Sequence, residues 1–284
     1  MNKKNLKRAI SSFQETQIYE QYDNLSVTVI LIQPESAGNI GSVARLMKNF
    51  NFCNLIIFNP LEDEKTIFSY ETQGFAMHGK DILLNANLIS LENQVDHFSR
   101  LKTLLKQFDL VIATTSKGKN YRNIRRMPIF PQDLELPISL KPLKIAVVFG
   151  KESRGLTNEE IELADILLRI PTGNAYPSLN LSHACGIILY EIFKKINSIT
   201  LGRGSNPVIL ADKDDRLMLY SIIENLIEKL KIRTHKKENV LFAIKNIFER
   251  AIITKKELSL TMGVFSKVES IIKNLELYKK LKKN

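Results

Sequence analysis

Four short stretches are rich in side chains and glycines able to do chemistry: Pro34-Glu-Ser-Ala-Gly-Asn39, Thr114-Thr-Ser-Lys-Gly118, Gly150-Lys-Glu-Ser-Arg-Gly155 and Pro171-Thr-Gly-Asn-Ala-Tyr-Pro-Ser178. Each follows a short β-branched run, and in an open α/β sheet ligands bind beyond the carboxyl ends of the strands. Gly150 and Gly155 allow backbone to approach a flat ligand. The hydroxyl of Ser178 and the amide of Asn180, at a helix start, can bond a polar group docked there. On pattern alone, a structural turn followed by a helix cap describes these residues equally well.

Other nucleotide and metal chemistries fit less well. No Gly-x-Gly-x-x-Gly joins the first strand to its helix, so a dinucleotide fingerprint is absent. Gly74-Phe-Ala-Met-His-Gly79-Lys80 mimics a phosphate-binding loop, but the position that should offer magnesium a hydroxyl is Asp81, whose carboxylate repels phosphate. A glycine-containing loop feeding a helix at Asp81 is expected instead. Cys53 and Cys185 lie far apart in apolar surroundings and read as buried small hydrophobes, while His78, His97, His183 and His235 are scattered. No metal is expected.

The elements that must hold these stretches alternate. Apolar runs at Val27–Gln33, Leu55–Phe58, Leu110–Ala113, Ile145–Phe149 and Ile166–Ile170 read as strands. Helical patterns fall at Asn39–Phe50, where Ile40, Val43, Ala44 and Met47 share one face, at Val95–Phe108, and at Ser178–Ile196. Thr157, with Glu159 and Glu160 in the following turn, reads as the N-cap of a short helix to Ala164. Strands alternating with helices predict a mostly parallel α/β sheet over residues 27–199, preceded by an N-terminal extension of residues 1–26. Gly202, Gly204, Pro207 and an acidic cluster mark a linker over residues 200–215. Beyond it, Arg216–Leu230, Lys237–Ala251 and Lys255–Leu277 keep a helical period and no strand pattern, so residues 216–284 form a small all-helical domain.

Composition narrows the partners. The chain has 284 residues, 44% hydrophobic and 25% charged, which suits a soluble globular protein. A mean hydropathy of −0.10 and no long apolar run argue against a membrane span, and the basic start is not followed by the apolar segment of a secretory signal, so a cytoplasmic location is expected. Lys and Arg number 41 against 30 Asp and Glu, a net charge of +11. Residues 201–284 carry +8 of it, so the tail concentrates whatever attraction the protein has for an anionic partner such as nucleic acid. A merely Lys-rich solvated surface is the alternative.

Three motifs, Asn39-Ile-Gly-Ser-Val-Ala-Arg45, Val148-Phe-Gly-Lys-Glu-Ser-Arg-Gly155-Leu and Ile170-Pro-(x6)-Ser178-Leu-Asn180, closely resemble in order and spacing those of the SpoU/TrmH branch of the SPOUT RNA methyltransferases. The tail, from Ile247-Phe-Glu-Arg250 to Gly263-Val-Phe, is similar to the C-terminal extension of the TrmJ subfamily, which methylates the ribose 2′-hydroxyl of nucleotide 32 in the tRNA anticodon loop. The resemblance implies an α/β sheet whose C-terminal part is threaded into a deep trefoil knot, an exception to the rule against knots. It implies S-adenosylmethionine bound by Thr115, Ser116, Gly150, Ile170, Ser178, Leu179 and Asn180, the last bracing the knot. It also implies Arg45 as the catalytic residue with Asn39, Glu152 and Ser178 around it, and a homodimer whose sites draw on both subunits. No metal is required.

RNA affinity is expected to rest on phosphate contacts from Lys117, Lys119, Arg122, Arg125 and Arg126, with Tyr121 able to stack on an unpaired base. A solvated charged loop is the alternative there. Other outcomes compatible with the motifs are the same chemistry at another tRNA position or on ribosomal RNA, and a knotted RNA-binding protein that no longer transfers methyl. Two positions depart from the family pattern: Asn51 stands where a glycine is usual, tolerable because Asn accepts the left-handed conformation at a helix end, and His183 stands where a small or apolar residue is usual.

Overall fold

The computed structural model describes residues 13–91, 96–117, 127–203, 206–230 and 234–281. The chain divides into two compact units, a sheet-bearing unit of Thr16–Ile199 and a helical unit that runs on from Thr200. In chain order the first half of the sheet unit comprises β1 (Thr16–Ile18), β2 (Leu25–Ile32), α1 (Ala37–Asn49), β3 (Asn54–Phe58), α2 (Glu64–Ile67), α3 (Tyr70–Ala76), α4 (Lys80–Leu84) and β4 (Asn87–Ile89). Its second half comprises α5 (His97–Leu105), β5 (Leu110–Thr114), β6 (Leu143–Phe149), α6 (Asn158–Ile161), β7 (Ile166–Leu168), α7 (Leu181–Ile196) and β8 (Asn197–Ile199).

Six strands form one parallel sheet in the order β4-β3-β2-β6-β5-β7. Its central strands are apolar throughout because both faces are covered. Side chains alternate between the faces, so Val29 and Leu31 of β2 join Ile145, Val147 and Phe149 of β6 in one buried cluster. Ile30, Ile32, Ala146 and Val148 point into the other. Each fully buried Ile or Leu contributes about 1.5–3 kcal/mol relative to an exposed one, so this double layer fixes the sheet to which the site loops are tied.

Helix α1 seats Ile40, Val43, Ala44 and Met47 in the first cluster, as their spacing predicts, and all four are buried. Asn51 has φ of 59°, the left-handed turn expected at the end of this helix. The phosphate-loop mimic is not a loop: Gly74 lies within α3 and Gly79 in the tight turn before α4. A Cβ at Gly79 would lie 2.5 Å from the carbonyl oxygen of Ala44, so glycine is needed there for α1 to pack closely.

Other expectations shift. β4 was too short to show a pattern, and β7 ends at Leu168 rather than Ile170. Part of the N-terminal extension belongs to the sheet unit, since β1 pairs antiparallel with β8 and Tyr19 N–H donates to the carbonyl of Ile196 at 2.9 Å. Cys53 is exposed, not buried, because it follows the turn at Asn51 and precedes β3; Cys185 is buried as expected.

The helical unit contains β9 (Gly202–Arg203), β10 (Asn206–Pro207), α8 (Lys213–Lys229), α9 (Thr234–Arg250) and α10 (Lys255–Leu281). Its core is small, formed by Leu219, Tyr220, Ile223, Ile227 and Leu258 with partly buried neighbours such as Phe248 and Phe265. The end of the expected linker is built into it: Ala211 N–H donates to the Ile253 carbonyl, and Asp212 and Asp215 form a capping box at the start of α8. Lys255, opening α10, reaches both carboxylates at 2.8 Å.

Candidate active site

The strand order decides which loops can meet. Because β5 lies between β6 and β7, the loops after all three strands open at the same edge of the sheet. They enclose a cavity of about 320 Å³ that Thr115, Ser116, Gly150, Ile170, Ser178 and Leu179 all line. Six residues from three separated stretches therefore share one space, within the usual size range for small-molecule sites. Glu152 and Lys117 also border it.

The Gly150–Gly155 loop explains its own glycines. It closes on itself through Gly155 N–H donating to the Lys151 carbonyl at 2.9 Å, and Gly155 adopts φ of 71°. A Cβ on Gly150 would lie 2.4 Å from the Gly155 carbonyl carbon. No side chain fits in that neck. Thr115 N–H, on the neighbouring loop, donates to the carbonyl of Leu168 at 2.9 Å, which ties it to the end of β7.

A polar chain joins the three motifs. Asn180 Nδ2 donates to Asn39 Oδ1 at 3.0 Å, and Asn39 Nδ2 donates to Glu152 Oε1 at 3.0 Å. The other oxygen of Glu152 accepts the backbone N–H of Glu35 at 2.8 Å. Glu35 in turn accepts from Ser153, through its N–H at 3.1 Å and its hydroxyl at 2.5 Å. Charge-assisted bonds of this kind are the stronger class, and each member here uses its oxygens or protons on another member. The cavity loop is thereby fastened to the loop and helix of the first motif.

Other expected site residues lie elsewhere. Asn180 does not line the cavity; it is the N-cap of α7, accepting Ser182 N–H at 2.8 Å, and its remaining amide protons face Asn39. Its place is that of a brace, and the helix starts at Leu181 rather than Ser178, with Asn180 supplying the cap. Arg45 is exposed on α1 and is not among the residues lining the cavity. Lys119, Tyr121, Arg122, Arg125 and Arg126 fall outside the described residues. His183 is exposed on the first turn of α7, and burial pushes the Cys185 thiol far above its usual range, which leaves it un-ionised and inert. Among the described residues, no group of three His, Cys, Asp or Glu side chains could hold a metal ion, and no helix is long and apolar enough to cross a membrane.

The geometry adds residues that the pattern did not single out. Glu35 and Ser153 lie inside recognised stretches, but nothing in their spacing shows that they pair. Lys151 and Arg154 join Lys117 at the cavity and put positive charge beside it. Tyr176 projects from the loop between β7 and α7 and is 80% exposed.

The lining suits S-adenosylmethionine. Hydroxyls of Thr115, Ser116 and Ser178 and the open backbone of a glycine turn can meet polar adenosyl and amino-acid groups, while Ile170 and Leu179 offer an apolar wall to a flat base.

Comparisons with known proteins place the chain in a family. Over 243 residues, 85% of this chain and 99% of the relative, the sequence is 37% identical to the tRNA (cytidine-2′-O-)-methyltransferase TrmJ of Methanocaldococcus jannaschii. It is 35% identical over 66% of this chain and 74% of the relative to the protein of the same name from Sulfolobus acidocaldarius. The fold is similar to the crystal structure of TrmJ from Z. mobilis ZM4, with a TM-score of 0.55 and 19% identity over 85% of this chain and 98% of that one. Residues 26–190, which include every loop of the cavity and every member of the polar chain, match the SpoU rRNA Methylase family, and this chain is a methyltransferase belonging to it.

Proposed function

We propose that this protein methylates the ribose 2′-hydroxyl of nucleotide 32 in the tRNA anticodon loop, using S-adenosylmethionine, as a cytoplasmic homodimer. The observation that carries the reading is the convergence of the three motif loops on one cavity, with Asn39, Glu152 and Asn180 bonded in series. The 37% identity to a named tRNA 2′-O-methyltransferase supports the substrate, and the net +8 of residues 201–284 supports an RNA contact by the helical unit. A deep knot between β5 and α7 accords with β7 pairing to β5 outside β6.

S-adenosylmethionine supplies an activated methyl group on a sulfonium. Thr115, Ser116, Gly150, Ile170, Ser178 and Leu179 would hold it, largely through backbone groups and the apolar wall. Catalysis then rests chiefly on placing the ribose oxygen in line with that methyl, since two reactants held together lose little further entropy. Arg45 binds an RNA phosphate and stabilises the negative charge that develops on the ribose oxygen. Its guanidinium, with a pKa above about 12, is a poor base, so the proton leaves to water or a neighbouring group. Arg45 lies off the cavity wall of its own chain, which fits its being supplied by a second copy. The exposed Ile187 and Tyr190 of α7, the latter against Phe50 at the end of α1, offer an apolar surface for that copy.

The test is incubation with methyl-labelled S-adenosylmethionine and unmodified tRNA, followed by mapping of the labelled nucleotide. Label on the ribose of nucleotide 32 is the expected result. Label at another tRNA position or only on ribosomal RNA would change the substrate, and no ribose label on any RNA would leave a knotted RNA-binding protein.

A further inference from the structure

The geometry points to Tyr176 as a stacking site for the nucleobase whose ribose is methylated, an inference that rests on the reading above of RNA as the substrate. The ribose must enter the cavity to meet the methyl group, so its attached base is left at the mouth. In the three stretches that line the cavity the aromatic side chains are Phe149, which is buried, and Tyr176, which is 80% exposed. The neighbours of Tyr176 on both sides, Thr172, Pro177 and Ser178, border the cavity themselves.

The ring has no evident part in folding. Among the described residues no hydrogen bond, ion pair or ring contact reaches it, although a large apolar surface in water forgoes the stabilisation that burial would bring. Its backbone, by contrast, is held. Pro171 and Pro177 bracket the loop, the residue before a proline is confined to extended conformations, and Thr172 Oγ1 donates to the Pro177 carbonyl at 3.2 Å. An aromatic side chain carried on a restrained loop costs little backbone ordering on binding, which favours a stacking platform. Lys117, Lys151 and Arg154 nearby supply phosphate contacts without reading sequence. Stacking on a ring is tolerant of base identity, so the site positions the nucleotide more than it selects the base.

The experiment compares wild-type, Tyr176→Phe and Tyr176→Ala on two synthetic anticodon stem-loops, one natural and one lacking the base at the position that wild-type protein methylates. On the natural RNA, Tyr176→Ala should raise KM for RNA about tenfold to a hundredfold, Tyr176→Phe should stay near wild-type, and the Kd for S-adenosylmethionine should be the same in all three. On the abasic RNA the difference between wild-type and Tyr176→Ala should vanish. An unchanged KM for Tyr176→Ala on natural RNA, or an equal penalty on the abasic RNA, overturns the stacking site while the methylation stands. Wild-type protein that methylates no RNA overturns the underlying reading and the stacking site with it.

Discussion

The two units are stabilised in different ways. The sheet unit buries its central strands on both faces and gathers the polar groups of its three motifs at one edge, where they bond one another in series. The helical unit has a core of a few side chains and leaves Phe242, Ile252, Leu260 and Val264 largely exposed. Its helix starts are held by exposed ion pairs, as where Lys255 meets Asp212 and Asp215. Rigid burial suits a site that must hold reactants to within a fraction of an ångström. A basic, thinly cored helical unit suits affinity for a polyanion, which needs charge more than fixed geometry.

The contrast is broken most sharply at Arg45. Replacement by Lys keeps the charge but loses the planar fork, and kcat for methyl transfer should fall about 100- to 1,000-fold with cofactor affinity unchanged. Steady-state rates and calorimetric titration of S-adenosylmethionine separate the two; a parallel loss of cofactor affinity would place Arg45 in the wall of the pocket.

Salt should divide the units next. Raising it from about 50 to about 200 mM is expected to weaken RNA binding about a hundredfold while barely changing cofactor binding. Removing residues 206–284 should flatten that dependence, as read by fluorescence anisotropy of labelled tRNA. An unaltered slope would mean that the positive excess of the tail is not used on RNA.

Within the sheet unit, Glu35→Ala removes the acceptor for two Ser153 bonds and should raise KM for S-adenosylmethionine about tenfold. Ser153→Ala should act in the same direction by less. If the loop is held by this pair, the double variant will resemble Glu35→Ala alone; strictly additive effects would show that the two residues act separately.

The smallest effect belongs to the helical unit. The Lys255 ammonium, followed by the N–H of Asp215, lowers the Asp212 carboxyl to about 2 from the ordinary 3.8. A lowered folded-state value means that its stabilisation is fully present above pH 3.8 and is lost as the pH falls towards 2. In Lys255→Gln the helical signal in far-ultraviolet circular dichroism should therefore begin to decline at a slightly higher pH than in wild-type. An identical acid transition would show that the pair contributes nothing to folding, which is common for exposed ion pairs.

How much of this was legible in the residues depended on the range of the interaction. Val29–Ile32 and Ile145–Phe149 were readable as buried strands because continuous apolar runs leave few alternatives, and α1 because four apolar residues recur at helical spacing. Asn51 was placed at a left-handed helix end through the family resemblance, which puts a glycine there, and Asn is one of the few other residue types that tolerate that conformation. By contrast, β4 spans three residues and carries no period, and the glycines of Gly74–Gly79 suggested a loop where one sits inside a helix and the other makes room for α1. Cys53 looked buried by composition and is exposed by position.

The candidate site divides along the same line. Sequence by itself determined the identity and order of the chemical groups in the three motifs, since residue type sets what can donate, accept or leave space. Tertiary structure alone decided that Glu152 lies between Glu35 and Asn39, that Asn180 braces rather than lines the cavity, and that Tyr176 stands exposed in a loop whose Thr172, Pro177 and Ser178 border the cavity. Those facts depend on pairing β5 between β6 and β7, a choice made by packing among residues distant in the chain that local spacing does not encode.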